Sequence, residues 1–299
     1  MTIITPTYNR GYILKNAFNS LCRQSDREFE WIIVDDGSTD NTEEIVKGWM
    51  DKDVFFTIRY YKQKNGGKHR AVNKGVKEAK YDYALILDSD DYLSDDAVEK
   101  IHSWVKDVND REDFAGVAGL RGWMNNDGCI GGAGKDPYFT DCKNTERGKF
   151  NLLGDKAEVY KIDILRKYPF PEFEGENFLS EHVVWDRIAK DGYKLRWFNE
   201  IIYYCEYLSD GLTKSTSYKL VMNNFQGFVL STKIKLELES FPMSYFAIGL
   251  FNHIAKMKGI KQNEARQILG VSCFKLFSGK VIFMLNEIKK KFIRVFQRS

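Results

Sequence analysis

The 299-residue chain is short of most features that announce a function at once, and each shortage excludes something. Its five cysteines, Cys22, Cys129, Cys142, Cys205 and Cys273, are odd in number, far apart and without CxxC or CxxH spacing. That argues against a disulfide framework and a thiolate zinc site, and the cysteines read as reduced intracellular thiols. Histidines number four; His69, His102 and His253 have no ligand spacing to another histidine or cysteine and read as structural or surface residues. Five prolines and no low-complexity tract leave little room for disorder. The formal net charge of +3, from 45 basic and 42 acidic residues, is too small to point to nucleic acid. There is no run of about 18 apolar residues, so no helix is expected to span a bilayer. Met1 leads straight into Thr2-Ile3-Ile4-Thr5, so no secretory leader is expected. The expected location is cytoplasmic, free or peripheral on the inner face of the membrane.

What the chain does have is core: 43% of residues are hydrophobic and 14% aromatic, enough for one enlarged domain or two ordinary ones. Over the first hundred residues short apolar strands alternate with helical patterns, the arrangement of a parallel sheet with helices on both faces. Strands are expected at Ile3-Ile4, Trp31 to Val34, Tyr60-Tyr61 and Tyr83 to Leu87. Helices are expected from Tyr12 to Cys22, after Asp40, from Ala71 to Ala79 and from Asp95 to Val105. Asp40 and Glu43 have capping-box spacing. Phe114 to Gly134 is strand-like, Asp136 to Gly154 reads as an irregular loop, a helix is expected from Glu181 to Lys190, and everything after Ser217 reads as helical. Three regions follow: 1–105, 106–215 and a helical 216–299.

Two carboxylate clusters sit where apolar strands end, the edge at which open parallel sheets bind ligands. In Asp88-Ser89-Asp90-Asp91, three carboxylates within four residues repel one another, and a divalent cation bridging to diphosphate oxygens would relieve this. A turn that caps the following helix is the alternative. Asp35-Asp36-Gly37-Ser38-Thr39-Asp40 could accept hydrogen bonds from a base and ribose, or could simply be a turn with a helix cap.

Taken together, Thr5-Pro6-Thr7-Tyr8-Asn9-Arg10, Trp31 to Asp40, Asn65-Gly66-Gly67, Ala71-Val72-Asn73-Lys74-Gly75 and Leu87 to Asp91 resemble the family 2 glycosyltransferases of the GT-A fold. The resemblance covers about the first hundred residues. It implies an α/β GT-A-type, mainly parallel sheet, with 1–105 as its nucleotide-sugar half and 106–215 as its acceptor half. It also implies inverting transfer from a nucleotide diphosphate sugar, usually a uridine one, to a glycan or lipid-linked acceptor, assisted by manganese or magnesium, with bacterial surface polysaccharide as context. On the same basis Pro6, Thr7 and Tyr8 line the nucleobase pocket, Asp36 receives the base N–H with Asp35 beside it, Asp88 and Asp90 flank ribose and sugar, and Asp91, with Asp90 able to exchange duties, binds the metal. Lys68 or Arg70 neutralises diphosphate charge.

Inversion needs a base on the acceptor side. Where the family has an acidic pair this chain has Ser180-Glu181-His182, so Glu181 is the choice, with His182 as the alternative and Glu174, Glu176 and Asp186 in reserve. The late family histidine that reaches the metal is missing from Cys205 to Gly211, where Glu206 or Asp210 could substitute. From Phe274 to Ser299 apolar residues alternate with Lys275, Lys280, Lys289, Lys290, Lys291, Arg294 and Arg298. This basic amphipathic helix would lie on an anionic membrane or pack on protein. A sugar-nucleotide pyrophosphorylase is disfavoured, because its glycine-rich opening is absent. A non-catalytic nucleotide-sugar-binding protein is the remaining competitor.

Overall fold

The computed structural model describes residues 1–124, 128–205 and 218–296, with side chains as far as residue 289. The chain divides into two compact units, Met1–Glu172 with Val184–Ser209, and Phe173–Val183 with Asp210–Ser299.

The first unit runs β1 (Thr2–Thr7), α1 (Lys15–Cys22), β2 (Glu30–Asp35), α2 (Thr42–Met50), β3 (Thr57–Lys62), α3 (Lys68–Glu78), β4 (Tyr83–Ile86), β5 (Tyr92–Leu93), α4 (Ala97–Lys106), β6 (Phe114–Trp123), β7 (Phe139–Cys142), β8 (Lys156–Lys161) and α5 (Ile162–Lys167). After α6 (His182–Lys190) comes the long strand β9 (Lys194–Cys205). One mixed sheet has the order β3-β2-β1-β4-β8-β6-β9-β5, with β7 on β9. The strands β3, β2, β1 and β4 are parallel, as are β6 and β9, whereas β8 opposes both its neighbours and β5 and β7 oppose β9.

The apolar strand runs explain the centre of this sheet. Ile3, Ile4, Ile32 and Ile33 are all buried, which requires cover on both faces, the normal condition of parallel strands. Ile3 joins the cluster of Leu14, Ala17, Phe18 and Trp31. Ile4, pointing the other way, meets α3 so closely that a Cβ on Gly75 would come within 2.4 Å of it. On the first face Phe18 stacks on Trp49 at 4.4 Å. Each such side chain contributes on the order of 2 kcal/mol by leaving water.

Two local expectations fail. Asp40 and Glu43 form no capping box: the Asp40 carboxylate accepts from the Thr42 N–H and hydroxyl, while Glu43 pairs with Lys47 and Lys62. Two opposing ammonium groups outbid the backbone for that glutamate. The stretch from Asp136 to Gly154 is not irregular either; it holds β7 and a 3-10 segment, Asn144–Phe150. Its pattern is too short and too polar to read as a strand, and pairing with β9 creates it.

The second unit contains α7 (Tyr218–Asn223), α8 (Phe225–Leu238), α9 (Met243–Met257), α10 (Gln262–Leu269) and α11 (Cys273–Phe296). Its core gathers Ile248, Phe251, Ala255, Ala265, Leu269 and Leu276. Helices α9 and α11 cross where Gly249 meets Gly279; a Cβ on Gly249 would lie 2.1 Å from the Gly279 carbonyl oxygen. Residues 173–183, grouped with the acceptor half in the sequence, belong to this helical unit. Among the described residues no single helix is long and apolar enough to cross a membrane.

Candidate active site

The carboxyl ends of β1, β2 and β4 meet at one edge of the sheet, because Thr7 pairs with Asp35 and Ile4 with Ile86. This brings Pro6, Thr7 and Tyr8, the Asp35-Asp36 pair and the Asp88–Asp91 loop to the same side of the first unit. Tyr8 is exposed there, whereas the Thr7 hydroxyl is buried without a hydrogen-bond partner.

The aspartates at the end of β2 are tied down. One Asp35 oxygen accepts from the Ser38 N–H at 2.6 Å and the other from the Tyr60 hydroxyl at 2.6 Å. The Asp36 carboxylate, 4% exposed, accepts from Gln63 Nε2 at 2.8 Å, the Gly66 N–H at 3.0 Å and the Gly67 N–H at 2.6 Å. Asp36 therefore holds the loop that opens α3. Gly37 turns this segment at φ +87°, and a Cβ there would sit 2.9 Å from the Asn65 backbone nitrogen. Asn9 closes the edge: its side-chain Oδ1 accepts from the Thr39 N–H at 2.8 Å and its backbone N–H donates to the Ser38 hydroxyl at 2.8 Å.

Lys68, the first residue of α3, reaches Asp88 at 2.5 Å. Burial alone would raise the Asp88 carboxyl, but Lys68 and Arg121 outweigh it and hold the group below its usual range. Asp90 is raised by burial and by the Asp88 charge. Asp91, only 5% exposed, points inward and accepts from the Tyr203 hydroxyl at 2.7 Å. Burial and the Asp88 charge push its carboxyl up to about 8, against the pull of Arg121. Asp91, the residue the family resemblance nominates for metal, thus faces protein, whereas Asp90 is only half-buried.

Among the described residues no three His, Cys, Asp or Glu side chains are arranged to hold a metal ion. The oxygen-only donor set nonetheless suits magnesium or manganese, which are commonly held by one or two carboxylates and completed by substrate phosphates. Asp88 and Asp90 are the half-buried carboxylates of this loop, and Asp91 the buried one. Glu206 and Asp210, the substitutes for the missing histidine, lie outside the described residues.

Arg70 is engaged by Glu172 at 3.2 Å, and Asn73 holds the same glutamate at 2.9 Å. Lys156 is a buried ammonium that donates to the Ile130, Leu153 and Asp155 carbonyls and so ties the 128–155 segment to β8. Burial, with Arg147 near, lowers its pKa to about 8.

Of the candidates for the base, Glu174, Glu176, Glu181 and His182 belong to the second unit and Asp186 to the first. His182 stands between two hydroxyls, Nδ1 at 2.7 Å from Ser180 Oγ and Nε2 at 2.8 Å from Ser231 Oγ. One nitrogen donates and the other accepts; burial and Lys235 lower the pKa to about 4. This is the geometry of a structural histidine. Glu176 is corrected to a helix cap, its oxygens accepting from the Gln226 N–H at 2.6 Å and the Gly227 N–H at 2.9 Å at the start of α8. Glu174 is exposed. Asp186 accepts from Asn144 at 2.7 Å. Arg121 and Tyr203, which touch the Asp88–Asp91 loop directly, carry no sequence signal.

Residues 2–120 match the model of glycosyl transferase family 2. This segment resembles the family 2 glycosyltransferases. The matched segment contains the whole edge described above except Arg121 and Tyr203. Among curated relatives, the glycosyltransferase GlyG of Streptococcus pneumoniae serotype 4 is 34% identical over 107 residues, 36% of this chain and 35% of GlyG. The chondroitin synthase of Escherichia coli is 40% identical over 93 residues, 30% of this chain and 13% of the synthase. The matches to the first curated relatives thus span well under half of those proteins. Among solved structures, S. aureus TarS 1-349 in complex with UDP-GlcNAc superposes with a TM-score of 0.63 at 19% identity, over 93% of this chain and 78% of that one. The mannosyltransferase PcManGT from Pyrobaculum calidifontis, in complex with GDP-Man and Mn2+, gives 0.54 at 15% identity, over 95% and 87%. These likenesses establish the shared fold.

Proposed function

We propose that the chain is an inverting glycosyltransferase that takes a sugar from a nucleotide diphosphate, with uridine as the nucleoside, and delivers it to a hydroxyl of a glycan or lipid-linked acceptor in bacterial surface polysaccharide synthesis. The observation that carries this reading is the convergence of the Asp88–Asp91 carboxylates, Lys68 and the β1 and β2 ends on one edge of the sheet. The UDP-GlcNAc complex of TarS supports the choice of donor.

In this reading Pro6, Thr7 and Tyr8 bound the nucleobase, Asp35 and Asp36 shape the pocket floor through the Gly66-Gly67 loop, and Lys68 faces the diphosphate. Asp90, helped by Asp88, would hold manganese or magnesium, and a cation there would screen the charge of the leaving diphosphate. The acceptor oxygen forms its bond to the anomeric carbon as the bond from that carbon to the diphosphate oxygen breaks. The acceptor proton passes to a carboxylate, and the nucleoside diphosphate departs with the bonding pair. The family pattern gives that base role to Glu181.

A peripheral membrane site is favoured by α11. Its Leu276 and Phe283 are buried, whereas Phe274, Phe277, Met284, Leu285 and Ile288 are exposed, with Lys275 and Lys289 on the same helix. An apolar stripe flanked by cations suits an anionic lipid surface. In this reading the protein works on the inner face of the membrane.

The test is donor hydrolysis across uridine, guanosine and cytidine diphosphate sugars, with and without Mn2+. Metal-stimulated turnover of one donor is expected. Binding without turnover of any donor or acceptor would make the chain a nucleotide-sugar-binding protein instead.

A further inference from the structure

Three carboxylates within four residues do not hold a fixed arrangement by themselves, since mutual repulsion spreads them. Something outside the Asp88–Asp91 loop must set their positions. We infer that Tyr203 and Arg121 form the positioning pair of this loop, fixing where its carboxylates stand and leaving Asp90, rather than Asp91, to serve the metal and diphosphate. The inference rests on the glycosyltransferase reading of the loop.

The Tyr203 hydroxyl spans both ends of the loop. It accepts from the Asp88 N–H at 2.9 Å and donates to Asp91 Oδ2 at 2.7 Å. Within the loop, the Asp91 N–H donates to the Asp88 carbonyl at 3.2 Å. Tyr203 is fully buried, and its backbone is paired on both sides, with Leu93 of β5 and with Arg121 of β6. Three strands therefore determine where the phenol oxygen lies.

Arg121 supplies the charge. Its guanidinium lies 4.1 Å from the Tyr203 ring centroid, with Nη1 at 3.6 Å from Asp88 Oδ2 and 3.8 Å from Asp91 Oδ2. The Nε–H donates to the Lys156 carbonyl at 2.9 Å, and Lys156 is itself immobilised by three carbonyls. The β6–β9 register slips between Ala118 and Leu120 and again between Leu120 and Arg121. Such irregularities re-aim side chains and are frequent beside active sites. A planar guanidinium that stacks on one group while reaching two carboxylates and a carbonyl is a task lysine does not fulfil. Asp90 takes part in none of these contacts.

The experiment uses the full chain. Tyr203→Phe keeps the ring beneath the guanidinium and removes only the hydroxyl. Calorimetry with UDP and with GDP, each in EDTA and in Mn2+, is paired with kcat and KM for the donor. Expected is nucleotide affinity in EDTA within about twofold of wild type, a manganese-dependent gain cut about tenfold or more, and a fall in kcat that exceeds any rise in KM; the tenfold corresponds to loss of one hydrogen bond to a charged group. Arg121→Lys should lose the manganese-dependent gain in the same direction. Val46→Ala, a core change in α2, should lower the melting temperature and keep that gain. Tyr203→Phe and Arg121→Lys enzymes with the full gain and kcat would overturn the inference while the glycosyltransferase reading stood. Should Tyr203→Phe fail to fold, Arg121→Lys decides alone by the same readout. A wild-type chain that binds neither nucleotide, with or without Mn2+, would overturn the functional reading and this inference with it.

Discussion

Replacing Asp36 by Asn separates two roles that a nucleotide-pocket carboxylate can have. In the structure its oxygens accept three hydrogen bonds, from Gln63 Nε2, the Gly66 N–H and the Gly67 N–H. An amide offers one oxygen. If that oxygen keeps the Gln63 and Gly66 bonds, the amide nitrogen faces the Gly67 N–H, so one short charge-assisted bond is lost and two become neutral. Bonds to charged acceptors contribute about 1.5–3 kcal/mol against about 0.5–1.5 for neutral ones, and a stranded buried donor adds to the cost. Allowing for relaxation, the loss is about 3 kcal/mol, which for a unit of about 200 residues lowers the melting temperature by about 6–12 °C. The loop opens α3, whose first residue is Lys68, so nucleotide affinity should fall together with stability. Differential scanning calorimetry and UDP titration of Asp36→Asn check this. A melting temperature within about 2 °C of wild type, with nucleotide binding abolished, would refute the loop-pinning argument and make Asp36 a direct ligand contact.

Glu181→Gln should keep donor affinity and lose about two to four orders of magnitude in transfer rate, while His182→Ala loses far less; a fast Glu181→Gln enzyme would move the base elsewhere. Glu176→Ala should cost the helical unit about 1–2 kcal/mol by uncapping α8, with turnover per folded molecule unchanged, and a rate loss without a stability loss would return Glu176 to the list of bases. Because burial and Lys235 depress the folded-state pKa of His182 to about 4 from the ordinary 6.5, its contribution to stability is present above about pH 6.5 and is lost as pH falls towards 4; melting curves across that window should flatten in His182→Gln, and an unchanged slope counts against it. Phe277→Ser combined with Leu285→Ser should cut sedimentation with anionic vesicles, as should added salt, and undiminished binding would remove the stripe from the membrane.

The first half of the fold was readable because local and tertiary signals agree there: apolar runs such as Trp31 to Val34 become buried parallel strands, and polar clusters follow at their ends. The carboxylate loop was legible for the same reason. What escaped depends on pairing across long separations. Arg121 and Tyr203 meet only because β6 and β9 lie side by side with slipped register, and neither has a neighbour in sequence that hints at it. Adjacent aspartates look alike as letters; burial against a phenol sets Asp91 apart from Asp90. Glu176 looked like an acid near an acceptor, but its oxygens complete a helix that begins fifty residues later. The serines that clamp His182 are similarly divided, one two residues away and one on α8.

The meeting of Gly249 with Gly279 has a mechanical meaning for the helical unit. With no side chain to act as a spacer, α9 and α11 are keyed backbone to backbone, and α11 cannot roll about its own axis without driving Ile248 or Phe283 into its neighbour. The azimuth of the outward stripe is thereby set by the bundle. Should α11 settle on a lipid surface, it would do so as the keel of the bundle and not as a detachable anchor, and the depth of immersion would be limited by the four-helix body it carries. An alanine at Gly279 would act as a shim: it would turn the stripe without altering one of its residues, and so change docking geometry while leaving hydrophobicity and charge as they were.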